Sequence, residues 1–405
     1  MLGNHIPIGT RIGSESIIGQ NFQFPSVHSQ KSAHNGTKKP KEMTWGVNFI
    51  ADSSGCGYYR MIWPENVINY DRSYSISSLQ RMVLDQKGFY SGVKTVRIQR
   101  QVSDSQLQIA KYLRKICDVE DISLIYEIDD IPFIEDIPEW NQNRKSYENP
   151  SYQRNIKEIM NFCDEITVTN HFMKNYFSEK LKNQNITVVP NYVPKFWMDR
   201  FYDENQSKIN FGKHKKKPRI LYAGSGSHYG DGKLLDDLSE LVPFIRKTYK
   251  QYQWVFLGGF PRLLEDLVKN GKIEWHQWVD LLEYPYEIAR LKPNVMVAPL
   301  RDNNFNKSKS DIKYREACAM GIPIICQDLV SYKNARLKFR NTSELDDQIK
   351  AVTVDAGEYM KEVRKHRQNI HKFWLEDHRE VWQELYKYRY GNKNRKLLID
   401  IGNLS

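Results

Sequence analysis

Short apolar runs recur along the chain, separated by amphipathic stretches and by turns rich in Gly, Asn, Asp and Pro. Thr44 to Ile50, Val93 to Gln99, Ser123 to Ile128, Cys163 to Thr169 and Ile186 to Asn191 read as strands. So do Arg219 to Gly224, Gln253 to Leu257, Ile273 to Trp275, Asn294 to Leu300 and Ile322 to Cys326. Helical spacing predicts helices between them: Ser77 to Lys87, Ser103 to Cys117 with Leu107, Ala110 and Leu113 on one face, residues 150–162, His171 to Leu181, one from Leu234, Leu263 to Asn270, and Tyr286 to Leu291. Strand and helix alternate twice, over 44–198 and again over 218–372, which implies two parallel sheets with helices on both faces. The polar segment 199–217 between them reads as a linker. From Glu344 the chain reads as helical, and Phe373, Trp374, Val381, Trp382, Leu385 and Tyr386 give an apolar face over 373–405. Residues 1–43 show no sustained period and read as a flexible arm.

Composition narrows the class. A chain of 405 residues with 40% hydrophobic content can bury a sizeable core and form two domains. No apolar run reaches membrane-spanning length and the first twenty residues lack the pattern of a signal peptide, so a soluble, cytoplasmic protein is expected. The five cysteines form no C-x-x-C pair, which predicts reduced thiols and implies no metal site. A formal charge of +11 favours a polyanionic partner, nucleic acid or an anionic membrane surface, though a Lys-rich chain can simply be soluble. Lys38-Lys39-Pro40-Lys41 and Lys213-His214-Lys215-Lys216-Lys217 are the local basic runs: solvated tail and plain linker, or phosphate contacts.

Four stretches carry chemistry. After the first strand, Ala51 to Arg60 holds Gly55 and Gly57, which let backbone approach a ligand closely. It does not complete G-x-G-x-x-G, and no acidic residue stands at the distance a dinucleotide requires, so an oxidoreductase is disfavoured. Asp129-Asp130 follow a strand at its carboxyl end, where ligands collect in doubly wound sheets. They suit a general base for a hydroxyl, or a turn before Pro132. In the turn Ser225 to Lys233, small residues with the nearby Lys233 can cradle a phosphate. Asn304 to Asp328 opens a helix behind Lys307, Ser308, Lys309 and Ser310, with Ser310 or Asp311 as the cap, so an anion fits its positive end. Lys313 and Glu316 share one face, Gly321 ends the helix and Pro323 follows as a stop. Trp275, Trp278 and Tyr284 suit aromatic packing in the core, and His171 is packed or solvated.

The run 304–328 resembles the donor-site signature of the GT-B glycosyltransferases, particularly the group 1 enzymes. The resemblance implies that Glu316 grips the ribose hydroxyls of a nucleotide-sugar, with Lys309, Ser310 and Lys313 near its diphosphate. Ser308 stands where the group 1 pattern has a second Glu. The 225–233 turn is similar to the G-S-x-x-H-x-x-D turn of the same enzymes, which makes Ser225, His228 and Lys233 donor contacts. Gly55 and Gly57 would lie under the sugar and diphosphate, with Tyr59 and Arg60 facing the acceptor. Tyr126-Glu127-Ile128-Asp129-Asp130-Ile131-Pro132 resembles the strand end of phage DNA glucosyltransferases, where an Asp is the base, which implies that role for Asp130 or Asp129. The implied fold is α/β GT-B: two Rossmann-like doubly wound domains facing across a cleft, with a C-terminal helix returning to the first. The implied donor is a UDP-sugar, without a prosthetic group; a divalent metal is compatible but not implied. The preferred acceptor is hydroxymethylated pyrimidine in double-stranded phage DNA, rotated out of the duplex. The alternatives are a peripheral transferase of cell-surface polysaccharide or glycolipid, and a non-catalytic nucleic-acid-binding protein on the same fold.

Overall fold

The computed structural model of the protein describes residues 43–84 and 88–387. The arm over 1–42, with its Lys38-Lys39-Pro40-Lys41 run, and residues 388–405 lie outside the described residues.

A strand covered on both faces must be apolar or internally satisfied throughout, and β4 (Ser123–Glu127) is buried at every position. It lies inside a six-stranded parallel sheet with β1 (Thr44–Phe49), β2 (Tyr74–Leu79), β3 (Val93–Gln99), β5 (Glu165–Val168) and β6 (Ile186–Val188), in the order β2-β1-β3-β4-β5-β6. The second sheet joins β7 (Arg219–Gly224), β8 (Gln253–Gly258), β9 (Glu274–His276), β10 (Val295–Ala298), β11 (Ile324–Gln327) and β12 (Leu337–Phe339). Its order is β12-β11-β10-β7-β8-β9, again all parallel. Each order reverses once, between β1 and β3 and between β7 and β10, and a crevice at the carboxyl ends of the strands opens at such a point.

Helices form where caps and periodicity agree. Asp104–Val119 starts on a capping box in which Ser103 and Gln106 serve each other's backbone, and it buries Leu107, Ala110, Leu113 and Cys117. Pro150–Phe162 starts with proline in its first turn behind the Asn149 cap. Ile312–Ala319 is buried on nearly every side, at Tyr314, Arg315, Glu316, Ala317, Cys318 and Ala319. Gly321 follows it at φ 66°, where a side chain would also strike the ring of Tyr202.

Three expectations are corrected. Ser77 to Lys87 is not a helix: Tyr74–Leu79 forms the edge strand β2, and Asn69 stands in for a neighbouring strand by bonding both the N–H and the C=O of Ile76 at 2.8 Å. Residues 85–87 are outside the described residues. No helix starts at Leu234, because Asp231 and Asp236 take backbone amides of residues 230–238 into side-chain turns; a helix begins only at Val242. The segment 199–217 is no plain linker. It holds the helix Glu204–His214, whose Phe211 stacks on Tyr359 of the helix Ala356–Asn369.

The crossing between domains lies just before, at 189–198, and the returning chain runs beside it, with a parallel bridge between Val193 and Trp374. Past Phe373 the chain continues as short turns and the five-residue helix Arg379–Gln383 rather than one long helix. Trp382, Leu385 and Tyr386 carry it back onto the first domain, where Tyr386 donates to Asn48 of β1 at 2.5 Å. One apolar cluster, from Tyr59, Trp63 and Trp197 to Tyr284, Tyr314 and Trp374, runs without a break from one domain into the other.

Candidate functional site

On the first domain, the switch point between β1 and β3 brings three strand ends together. Asp52, after β1, accepts from Ser54 N at 2.9 Å, Ser54 Oγ at 2.6 Å and Gly57 N at 3.3 Å, and closes the loop on itself. A side chain at Gly57 would collide with the Asp52 carbonyl, so this glycine is required by the turn, whereas Gly55 faces open space. Arg100, after β3, pairs with Asp52 and stands 3.8 Å from Asp129 Oδ1. Burial raises the Asp52 carboxyl, but Arg100 and the Ser54 bonds outweigh it and hold the group low. Arg100 also has a left-handed backbone, φ 47°, a strain that clusters at functional sites. Asp129 Oδ1 is buried without a hydrogen-bond partner among the described residues.

On the second domain, the switch point between β7 and β10 gathers the Ser225 turn and the segment ahead of Ile312–Ala319. His228 is buried there, its Nδ1 2.8 Å from Asp237 Oδ2 and its Nε2 3.1 Å from Lys313 Nζ. Burial, then the Lys313 charge, drive the imidazole down to about 3, so it is neutral. Its Nδ1–H therefore donates to Asp237, and its Nε2 lone pair accepts from the Lys313 ammonium. Asp237 is held in turn by Arg301 N at 3.0 Å and Asn306 Nδ2 at 2.6 Å. Burial brings Lys313 down to about 8, with Asp237 opposing and Lys309 adding to the fall. Glu316, three residues on, is pushed up to about 7 by burial, with Tyr59, Lys313 and Tyr284 pulling it back.

The two sides meet. Lys309 Nζ lies 3.6 Å from Asp130 Oδ1, and Tyr59 Oη donates to Glu316 Oε1 at 2.6 Å. Asp130 is raised by burial in the cleft, against the pull of Lys309. From the first domain, the 129–147 loop reaches over. Gln142 occupies the space above Gly226, and Arg301 stacks on Trp140 at 5.7 Å. Asp130, Asp129, Lys309, Lys313, His228 and Glu316 thus cluster where the two domains meet.

Other expected site residues take different parts. Arg60 does not face an acceptor: it is wholly buried, paired with Glu127 at 2.6 Å and donating to Asn191 Oδ1 at 2.9 Å. Tyr59 is turned to Glu316 instead of outward. Lys233 is exposed on the turn made by Asp231, whose Gly232 leans on Arg262, and no contact among the described residues joins it to Lys313. Ser225 is exposed, its hydroxyl 2.9 Å from that of Ser227. Ser310 accepts from Asn191 Nδ2 at 3.0 Å. The cap of Ile312–Ala319 is Asp311, but its side chain turns to Arg315 at 2.6 Å and leaves the first amides of the helix uncapped. Ser308 is fully buried with its hydroxyl donating to Phe305 O, so it offers nothing in place of a second Glu. Arg100, Asp237 and Asn191 were missed. Arg100 had a usable signal, a basic residue directly after a buried strand; the other two become visible only through their partners.

No family model and no curated protein matches the chain. Among solved structures it is similar to Anabaena Alr3699/HepE in complex with UDP and glucose, at 9% identity over 84% of this chain and 98% of that one, with a TM-score of 0.54. It is also similar to trehalose-6-phosphate from E. coli bound with UDP-2-fluoro glucose, at 12% identity over 86% and 100%, with a TM-score of 0.55. The chain has the GT-B fold. In this GT-B protein the charged cluster lies at the carboxyl ends of strands from both sheets.

A charge kept in so dry a place leaves a mark on stability. With Lys313 at about 8 when folded and near 10.5 when unfolded, the unfolded chain binds more protons between those values. Stability therefore rises with pH through that window, and below it the full penalty applies. Lys313→Met should stabilise the unliganded protein at pH 7.5 by ~1–3 kcal/mol, and the gain should shrink toward pH 10. Urea unfolding of both proteins at the two pH values checks the sign.

Proposed function

We propose that this GT-B protein transfers a sugar from a UDP-sugar to an acceptor hydroxyl. One observation carries the reading: a carboxyl suited to take a proton, Asp130, stands against Lys309 of the opposite domain, beside Lys313 and Glu316. In the reaction the acceptor oxygen bonds to the anomeric carbon as the bond from that carbon to the diphosphate breaks. The proton passes to Asp130, and UDP leaves with its negative charge opposite Lys309, Lys313 and the uncapped helix start. Glu316 accepts from the ribose hydroxyls. His228 acts through Lys313, whose ammonium it aims. The UDP and UDP-2-fluoro glucose of the two similar structures support a uridine nucleotide.

For the acceptor, the proposed substrate is hydroxymethylated pyrimidine in double-stranded DNA. The net charge of +11 supports it, and nine Lys and Arg against three acidic residues stand in 1–42 and 388–405 alone. A base rotated out of the stack would present its hydroxyl to the carboxyls of Asp129 and Asp130 at the strand end.

UDP titrated by calorimetry should give saturable heat, and Glu316→Ala should weaken it ~10–100-fold through loss of charge-assisted bonds. UDP release should then be stimulated by hydroxymethylated duplex and not by unmodified duplex, polysaccharide or lipid extract. Stimulation by either of the last two would move the acceptor to cell-surface glycans. Absence of UDP binding would remove the transferase reading.

A further inference from the structure

The segment that carries Lys309 to Glu316 is attached to the first domain through Asp130, Tyr59 and Asn170, and also through Asn191, which meets it at the helix start itself. Asn191 lies at the interdomain crossing between Pro190 and Tyr192, and is buried. Its side chain works in both directions: Oδ1 accepts from Arg60 Nη1 at 2.9 Å, and Nδ2 donates to Ser310 Oγ at 3.0 Å. Its main-chain oxygen accepts from the Arg315 guanidinium, whose Nε also grips Asp311 at 2.6 Å. Asn191 therefore holds the residue before the helix cap directly, and the cap itself through Arg315. Arg60, at its other end, cannot swing, because Glu127 fixes it in the core.

We infer that Asn191 is a positioning residue of the nucleotide site, setting the register of the Ser310–Glu316 helix start against the buried Arg60 of the first domain. The ligand-binding part of this inference rests on the function proposed above; the mechanical part does not. A side chain here must accept from a guanidinium and bond a hydroxyl at once. Asparagine and aspartate can do both, since the Ser310 hydroxyl can reverse and donate to a carboxylate. Leucine, of similar size, can do neither.

The test compares Asn191→Leu, Asn191→Asp and Ser310→Ala in the full chain. Hydrogen exchange is followed over 310–316 without nucleotide, together with UDP affinity and thermal midpoint. Asn191→Leu should speed exchange in that segment ~10-fold or more, with the rest of the second domain unchanged, and weaken UDP ~10-fold. Asn191→Asp should restore both to within ~threefold, and Ser310→Ala added to Asn191→Leu should cost less than it does alone, because the two share one bond. Wild-type exchange in Asn191→Leu, failure of Asn191→Asp to restore it, or additive effects would each overturn the inference. If wild-type protein binds no UDP, the nucleotide site falls while the exchange comparison still decides the role of Asn191.

Discussion

Asp130→Asn is expected to lower turnover ~10²–10⁴-fold, the range a positioned general base supplies, while UDP affinity stays within ~threefold of wild type. The substitution keeps the shape and the contact with Lys309 but cannot take up a proton. In the proposed reaction Asp130 would be the better base of the pair. Desolvation raises its carboxyl, the direction that suits a base, and Lys309 opposes the rise. Asp129 stands instead beside Arg100, which is shared with Asp52. Asp129→Asn should therefore act on acceptor KM more than on turnover. Single-turnover rates with saturating donor separate the two. A turnover defect that follows Asp129, with Asp130→Asn near wild type, would exchange their roles. A loss of UDP binding in Asp130→Asn would instead mean that the carboxylate serves mainly to hold Lys309.

How much of this was legible in the sequence depends on the range of the interaction. The alternation of buried strands and capped helices is local, so both sheets and most helices could be placed, and a helix start could be located between Lys309 and Glu316 from four or five residues. Errors arose where a side chain competes with the backbone: Asn69 completing an edge strand at Ile76, and Asp231 and Asp236 turning a helical pattern into loops. The site was half visible for a related reason. Asp130, Lys309 and Lys313 lie at or next to element ends where polar residues announce themselves, and Glu316 follows Lys313 by three on the same helix. Arg60 lies at a similar end, and nothing nearby shows that Glu127 will bury it. His228 could be picked as a charged contact, but its neutrality comes from burial and from Lys313, 85 residues away, against the opposing pull of Asp237. Ser308 could be seen to depart from the group 1 pattern, but not to be buried.

Glu127→Ala should be the most destabilising single change in the described chain, costing ~3–5 kcal/mol against a total of roughly 5–15. Glu127 is completely buried in β4 and holds two completely buried arginines, Arg60 at 2.6 Å and Arg97 at 2.9 Å, with Thr167 bonding the same carboxylate. Trp382 of the returning C-terminal segment lies over both guanidinium groups, at 5.1 and 5.4 Å, and Arg97 donates to Tyr386 Oη at 3.2 Å. One carboxylate thus neutralises part of a charge pair that water cannot reach. Without it two guanidinium groups remain buried, and the least costly escape is to lift the segment 379–387 and admit solvent. Thermal unfolding should therefore show a lowered midpoint, and proteolysis should find new cleavage after Lys387 or Arg379. Glu127→Gln keeps one accepting oxygen but sets an amide donor against the arginine donors and loses the charge, so it should recover only part of the loss. Replacing Glu127 and Arg97 together by leucine and methionine removes one buried charge of each sign and should recover much of the loss, because a buried ion pair can be exchanged for apolar packing at little net cost. If the double variant is no better than Glu127→Ala, the penalty lies with Arg60. Since Arg60 carries Asn191, nucleotide affinity should then fall in step with stability.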